Sequence, residues 1–569
     1  MYYFIIHLPF RFLTEKLKVD KYLQLSSHNF SLCAALFFVC FFNASFFGAI
    51  LNLAVHPGVR DVAFTLNAAL LLLAVNYIFI SMITLPYVAK PLLSLILLAA
   101  AGVAYFMDSY GIVIHRLMIQ NTVETDLAEM EGLINKTLIF YLFTLGLLPL
   151  LLLSQITIKF ATFGKELWKK IKHIGISVAC ILVLIMSMPQ DYASFFRNHK
   201  PVRQLANPLN FVYAGFSYFT TSNRIIEVKP IENDATITSL GKVQLKPTLF
   251  ILVVGETARA DHFGINGYDR DTTPLLAQQN IINFTDVTSC GTETAVSVPC
   301  MFSVLGRSHY SDHNAKSQEG LLDVISHAGI PVLWRDNNSS CKGTCNRVIY
   351  EDMQHLKVPD LCNEHECFDE ILLHQLDEKI SASKGSQFIV LHQKGSHGPD
   401  YYNRYPKSRE HFAPVCQDKQ LQNCTKGELV NTFDNTIRYT DYFLNSAIEW
   451  LKTRDKEYNT SMLYLSDHGE SLGEKNLYLH GMPYAIAPKE QKEVPFFLWM
   501  SAGFKKANTI DTECLKKIST VAYSHDNLFH TVLGMLNISS RVYKTELDIV
   551  RPCRVLTLPE SMINKNYAD

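Results

Sequence analysis

The residues best equipped for chemistry in this chain stand directly after short apolar runs. Leu249–Val254 is continuously apolar, rich in β-branched residues and bounded by Pro247 and Gly255. That pattern predicts a strand buried on both faces. Glu256 follows at once, placing a carboxylate at the C-terminal edge of the strand, where ligands bind in open α/β sheets. Gln387–Leu391 is a second such run, with His392 and His397 at its exit. Ser461–Leu465 is a third; it leads into Ser466-Asp467-His468-Gly469-Glu470, with His480 a little further on. One acid or histidine after a strand is ordinarily a surface group. Here three strand ends share Glu256, His397, Asp467, His468 and His480. Carboxylate and imidazole are the ligands that Zn²⁺ takes in catalytic sites with an open coordination position. The stretch Ser289-Cys290-Gly291-Thr292-Glu293-Thr294 adds hydroxyl groups, which are weak nucleophiles until a neighbouring metal or base activates them.

The elements that must position these groups alternate between strand and helix. LLDVISHAGIPVLWRDNN reads as a helix followed by a strand, and NTIRYTDYFLNSAIEWLKT as a long amphipathic helix before the Ser461 run. This alternation predicts an α/β sandwich with a largely parallel sheet over residues 247–569.

The preceding half has a different character. A chain of 569 residues exceeds one ordinary core, so at least two domains are expected. A net charge of −1 argues against a nucleic-acid partner. Five stretches, about 29–54, 62–89, 91–107, 137–158 and 174–190, contain no Asp, Glu, Lys or Arg. Each approaches or exceeds the roughly 20 apolar residues that cross a bilayer. The reading is a five-helix transmembrane domain over 1–190. The first run lies too far from the N-terminus, and lacks a small-residue cleavage site, to be a removable signal, so it is retained. Arg11, Lys16, Lys18 and Lys21 before the first span, and Lys159, Lys165, Lys169, Lys170 and Lys172 after the fourth, put both segments in the cytoplasm. Loop 108–136 and everything after about residue 190 then lie outside. On its residues alone that loop reads as a solvated connection with helix-compatible spacing. The aromatic stretch 191–246 reads either as short helices in the membrane interface or as a plain interdomain linker.

Cysteine usage follows the same division. Cys33, Cys40 and Cys180 fall in the spans, and the other ten of 13 lie in the outer part. An even set at short spacing in an oxidising compartment reads as disulfides. Proximity pairs Cys290 with Cys300, Cys341 with Cys345, Cys362 with Cys367 and Cys416 with Cys424, leaving Cys514 with Cys553 by elimination. The finger-like spacing of Cys341 and Cys345 also suits a structural zinc site.

The wording of the motifs adds a resemblance. GETARADH with NGYDRDTTP, TSCGTETAVSVPCMFS, WRDNNSSCKG, LHQKGSHGP and YLSDHGESLGE with YLHGMPYAIAPKEQ closely resemble the lipid A phosphoethanolamine transferases. These form a branch of the alkaline phosphatase and sulfatase superfamily that includes the mobile colistin-resistance enzymes. The resemblance runs over essentially the whole chain. It implies a five-helix transmembrane domain plus a periplasmic sulfatase-type α/β sandwich, in the inner membrane of a Gram-negative bacterium. It also implies that Thr294, the second Thr of TET, is the nucleophile, and that Glu256, Asp467, His468 and the Thr294 oxygen hold one Zn²⁺. His397 and His480 would bind the transferring phosphate, bind a second metal or protonate the leaving alcohol. Lys342, Ser339, Asn121 and Glu129 would contact substrate. The tyrosine that some members carry two residues after the nucleophile is Val296 here. Phosphatidylethanolamine would be the donor and a lipid A phosphate the acceptor, through a phosphothreonine-type intermediate, with resistance to cationic peptides such as polymyxin as the outcome. A monomer is expected. The residues also admit a Kdo or heptose acceptor, a membrane-tethered phosphatase or sulfatase using water, or a silent sensor.

Overall fold

The computed structural model describes residues 23–52, 59–124, 130, 133–198, 200–222, 228–231, 233–364, 366–381 and 385–555. The chain divides into two units: Met1–Asp108 with Lys136–Phe216, and Ser109–Asn135 with Ser217–Asp569. These boundaries differ from divisions at 190 and 246, because residues 109–135 group with the later part of the chain and the helix Leu209–Ser222 straddles the border.

In the first unit, apolar composition becomes helix. Among the described residues, Val62–Ile83, Ala89–Tyr110, Lys136–Gln155 and Phe163–Ser187 are long and apolar enough to cross a membrane. The first uncharged run differs from a single continuous span. It forms Ser27–Phe41 and Ala44–Leu51, bent by 56°. Asn43, buried at the bend, is the physical reason. Its side-chain amide donates to Phe38 O at 2.9 Å and to Asn207 O at 3.1 Å, while its Oδ1 accepts from Asn207 N at 2.9 Å. A side chain that competes for backbone carbonyls in this way interrupts the helical ladder. Counting the bent pair as one span gives five. Lys165, Lys169, Lys170 and Lys172, read from the sequence as a loop, lie in the first turns of the helix Phe163–Ser187. Lysine is a good helix former, so charge marks where a span leaves the apolar layer rather than where the helix ends. Arg11, Lys16, Lys18 and Lys21 fall outside the described residues.

The second unit is built on a seven-stranded sheet. Its strands are β1 (Thr248–Gly255), β2 (Ile281–Phe284), β3 (Val332–Asp336), β4 (Ile349–Asp352), β5 (Gln387–His392), β6 (Asn459–Ser466) and β7 (Phe496–Met500). Their order is β2-β7-β6-β1-β5-β3-β4. Strands β6, β1, β5, β3 and β4 run parallel, and β7 is antiparallel to both β6 and β2. Every residue of β1, β5 and β6 is buried, which is why these runs carry apolar residues without alternation. One face packs Phe250, Leu252 and Val254 into a core with Phe302, Trp334 and Leu463. The helix Lys426–Lys452 opens with a reciprocal cap between Thr425 and Glu428. It buries Leu429, Phe433, Ile437, Leu444, Ile448 and Leu451, which recur at helical spacing along one stripe.

Register then does the positioning. Gly255 pairs with Ser466, and Val254 with His392, so β1, β5 and β6 finish level with one another. The residues that follow all three strands emerge at one edge of the sheet.

Candidate active site

Glu256 and Asp467 leave adjacent strands side by side, with Asp467 N donating to Gly255 O at 2.9 Å. A left-handed turn at Thr257 (φ 51°) aims its amide at Asp467 Oδ1, 3.2 Å away, and His468 N donates to the same oxygen at 2.7 Å. Such a conformation in a threonine costs free energy and persists only where its surroundings enforce it. On the other flank Gly395 (φ 54°) packs so closely that a Cβ there would meet Glu256 O at 2.7 Å. The His468 ring places Nδ1 2.9 Å from Gly469 O, a carbonyl that can only accept. Nδ1 therefore carries the proton, and the Nε2 lone pair faces the centre of the cluster.

Around that centre His468 Nε2 lies 3.4 Å from Glu256 Oε1 and 3.3 Å from Asp467 Oδ2. Thr294 Oγ1 is 3.2 Å from both Glu256 oxygens and 3.3 Å from His468 Nε2. A tetrahedron with the ligand distances of a small divalent cation, about 2.0–2.1 Å, has edges of about 3.3–3.4 Å. Glu256, Asp467 and His468 are each 0% exposed, and Asp467 Oδ2 has no hydrogen-bond partner among the described residues. Burial first, then the Asp467 charge, raises Glu256 above the ordinary carboxylate range, and burial raises Asp467. Burial pushes His468 down. Two buried carboxylates held against a neutral imidazole, one with an orphaned oxygen, fit a cation: its charge would offset the cost of burying theirs.

Thr294 reaches this cluster as the first residue of the helix Thr294–Met301. The free amides of a helix N-terminus favour negative charge beside it. Thr292, the other threonine of the motif, turns elsewhere: its hydroxyl donates to Met482 O at 2.6 Å.

His480 and His397 complete one side. Their ring centroids lie 5.3 Å apart, and that of His480 is 4.5 Å from His468. Leu479 holds a left-handed conformation (φ 62°) just before His480. His480 Nδ1 is 3.2 Å from Oε1 of the fully buried Glu470. Burial alone would lower His480, but Glu470 and then Glu256 and Asp467 outweigh it and raise the imidazole to about 9. His397 is pushed down by burial, then by the charges of His480, Lys394, Arg404 and Lys342. Lys342 Nζ donates to Ser339 O at 2.6 Å and to Ser339 Oγ at 3.0 Å. Asn121 lies in the helix Arg116–Glu124, and its amide donates to Glu293 Oε2 at 2.5 Å, beside the nucleophile candidate. Glu129 lies outside the described residues. The structure thus brings Glu256, Thr294, Asp467 and His468 to one point, with His480 and His397 beside them.

Several residues of the site escape a reading of strand ends. Asn338 donates to Glu256 Oε2 at 2.7 Å and to Gln393 O at 2.9 Å, tying the carboxylate to the loop after β5. Glu470 sets the charge of His480, and its place two residues after His468 in SDHGE was a usable signal. Glu293 receives Asn121 and also lies 3.5 Å from His115 Nε2. His525, far along the chain, bonds to Cys290 N and Ser466 O, and burial holds it down at about 3. Disulfides join Cys290–Cys300, Cys341–Cys345, Cys362–Cys367, Cys416–Cys424 and Cys514–Cys553. Cys341 and Cys345 are thereby committed to each other rather than to a metal.

Comparison with known proteins places this geometry. Residues 248–538 match the sulfatase family, and residues 72–222 match the family described as phosphoethanolamine transferase EptA/EptB. Phosphoethanolamine transferase EptA of Escherichia coli (strain K12) is 42% identical over 526 residues, 92% of this chain and 96% of that protein. Phosphatidylethanolamine transferase Mcr-1 of Escherichia coli is 38% identical over 534 residues, 91% of this chain and 96% of Mcr-1. The integral membrane lipooligosaccharide phosphoethanolamine transferase A of Neisseria meningitidis superimposes with a TM-score of 0.90 at 38% identity, covering 94% of this chain and 99% of that one. With such relatives, the apolar helices are the membrane part of an inner-membrane protein, and the sulfatase-type unit is its periplasmic catalytic domain. Identity of 38–42% to these transferases over more than nine-tenths of the chain, membrane helices and sulfatase-type unit together, shows the family: the chain belongs to the phosphoethanolamine transferases.

Proposed function

We propose that this enzyme transfers phosphoethanolamine from phosphatidylethanolamine to a phosphate of lipid A, with Thr294 as the nucleophile. The observation that carries the reading is Thr294 Oγ1, held 3.2–3.3 Å from Glu256 and His468 at the edge of the sheet. Glu256, Asp467 and His468 would hold one Zn²⁺. Zn²⁺ bound there would supply the positive charge that favours an ionised hydroxyl and offsets charge building on phosphoryl oxygens.

The residues then divide the work in two steps. In the first, Thr294 Oγ bonds to the donor phosphorus while the bond from phosphorus to the diacylglycerol oxygen breaks. His480, kept protonated by Glu470, gives that oxygen its proton. In the second, a phosphate oxygen of lipid A attacks the phosphothreonine, the Thr294 oxygen leaves ionised as it began, and the acceptor phosphate's proton returns to His480. Lys342 and Ser339 hold the phosphoryl oxygens, with His397 opposite. Asn121 orients the loop carrying Thr294 through Glu293. Capping a bare phosphate with a zwitterion lowers surface charge, so binding of cationic peptides such as polymyxin weakens. The enzyme acts as a monomer, with the chemistry in 247–569 and the lipid-embedded part in 1–190.

Mass spectrometry of lipid A from cells expressing the chain tests this. Phosphoethanolamine on a lipid A phosphate is expected, and none with Thr294→Ala. Modification of a core sugar alone, or of nothing, defeats the acceptor assignment.

A further inference from the structure

His525 sits at the N-cap of the helix Asp526–Met535 and is 1% exposed. Its Nδ1 accepts from the Cys290 backbone N–H at 3.1 Å and lies 3.3 Å from Ser297 Oγ, while its Nε2 lies 3.0 Å from Ser466 O. A backbone N–H can only donate and a carbonyl can only accept. One tautomer satisfies both bonds: the neutral ring with its proton on Nε2.

The groups that this ring touches belong to different parts of the catalytic cluster. Cys290 opens the loop that ends in Thr294, and Ser297 lies in the first turn of the helix that Thr294 begins. Ser466 closes β6 and directly precedes Asp467. The Ser297 hydroxyl donates to Asp467 O, so the helix and the strand end meet a second time. Loop and helix are pressed together at Gly291, where a Cβ would lie 2.8 Å from Ser297 N. The strand end is already held by its ladder to β1. The Cys290 loop has no ladder at that point; the Cys290–Cys300 disulfide, Ser289 N–H to Lys492 O and the Thr292 hydroxyl to Met482 O also hold it, and the bond to Nδ1 couples it through the His525 ring to the end of β6.

We propose that His525 is a positioning residue which, through the Cys290 N–H, sets the distance between the Thr294 hydroxyl and the Asp467–His468 strand end without touching substrate. A displacement of about 1 Å at a reacting atom costs on the order of 100-fold in rate, which is the scale of effect a lost anchor would have here.

The inference rests on the donor reading above, and its test separates the two. Full-length enzyme in detergent micelles is given phosphatidylethanolamine with a fluorescent acyl chain, and released diacylglycerol is followed. His525→Asn offers an amide oxygen near the place of Nδ1 and keeps an acceptor for Cys290. His525→Gln offers an amide N–H near the place of Nε2, keeps the bond to Ser466 and abandons Cys290. We expect His525→Asn to stay within about threefold of wild-type kcat, and His525→Gln and His525→Ala to lose about 30-fold or more in kcat with KM moved less than about twofold. The Asn and Gln variants, each short of one hydrogen bond, should melt alike, so the split in kcat separates positioning from loss of stability. The inference is overturned if His525→Gln keeps wild-type kcat, if His525→Asn falls as far as His525→Ala, or if the loss lies in KM alone. A wild-type enzyme that releases no diacylglycerol overturns the donor assignment and this inference with it.

Discussion

The unit of apolar helices and the unit built on the sheet both bury polar side chains, but of different kinds. In the first, Asn43, Asn76 and Asn207 are buried neutral amides. Asn76 and Asn43 both donate to Asn207 O at 3.1 Å, and Asn207 donates to Phe42 O at 2.9 Å. They take up backbone groups freed where the first helix bends, and they hold the chain. In the second, Glu256 and Asp467 are buried, ionisable and pressed together, with Asp467 Oδ2 left without a donor among the described residues. Neutral amides bonded to carbonyls contribute about 1 kcal/mol each. Buried carboxylates cost several kcal/mol unless a cation offsets them. Asn76 Oδ1 and Asn207 Oδ1 also lack a partner among the described residues, so what separates the two sets is charge: neutral amides in the first unit, crowded ionisable groups at strand ends in the second.

The sharpest way to break this contrast is at Thr294. Thr294→Ala removes the oxygen proposed as the nucleophile and little buried surface, so transfer should fall by at least about 1,000-fold while the melting temperature barely moves. Thr292→Ala loses one hydrogen bond, worth about 1 kcal/mol, and should leave most activity. Equal losses in the two would mean that the wrong threonine has been assigned the chemistry.

Asp467→Asn probes the unsatisfied carboxylate. Metal content by elemental analysis should drop, and activity should fall by more than about 100-fold, beyond the loss typical of an outer ligand partner. In chelator-treated protein the same variant should melt no lower than wild type, because it removes one of two crowded buried charges. A markedly lower melting temperature after chelation would show Asp467 to be structural.

Asn43→Ala should do the reverse. Stability of the purified protein should fall by about 1–3 kcal/mol, the cost of unpaired buried backbone groups, with kcat unchanged. A large change in kcat with unchanged stability would erase the distinction between the two units.

The smallest effect concerns His115. Burial pulls this imidazole down, but the bond and charge of Glu293 outweigh it, so it stays raised above its ordinary value. The pair's contribution is complete below an unfolded value of about 6.5 and fades as pH rises through the raised one. Hydrogen-exchange protection factors across 116–124 should therefore decline on the alkaline side, and His115→Gln should flatten that dependence. A flat wild-type profile counts against the pair.

Much of this protein was legible in its sequence, because certain constraints are local. Leu249–Val254 reads as a strand buried on both faces, and the uncharged runs of the first 190 residues read as spans, most of whose length is helical. The acids and histidines of the cluster follow such runs directly, so chain order announces them: Glu256 after β1, Asp467 and His468 after β6. The TET motif names two threonines equally, and the choice between them rests on resemblance until the fold turns Thr294 toward Glu256 and Thr292 toward Met482. Tertiary structure alone decided what depends on partners distant in the chain. The bend at Asn43 involves Asn207, Glu256 is met by Asn338, and the Cys290 backbone is met by His525. A hydrogen bond across two hundred residues leaves no periodicity to read. In the second unit, parallel register brings the ends of β1, β5 and β6 level, so that groups with no relation along the chain, such as Glu256 and His468, meet.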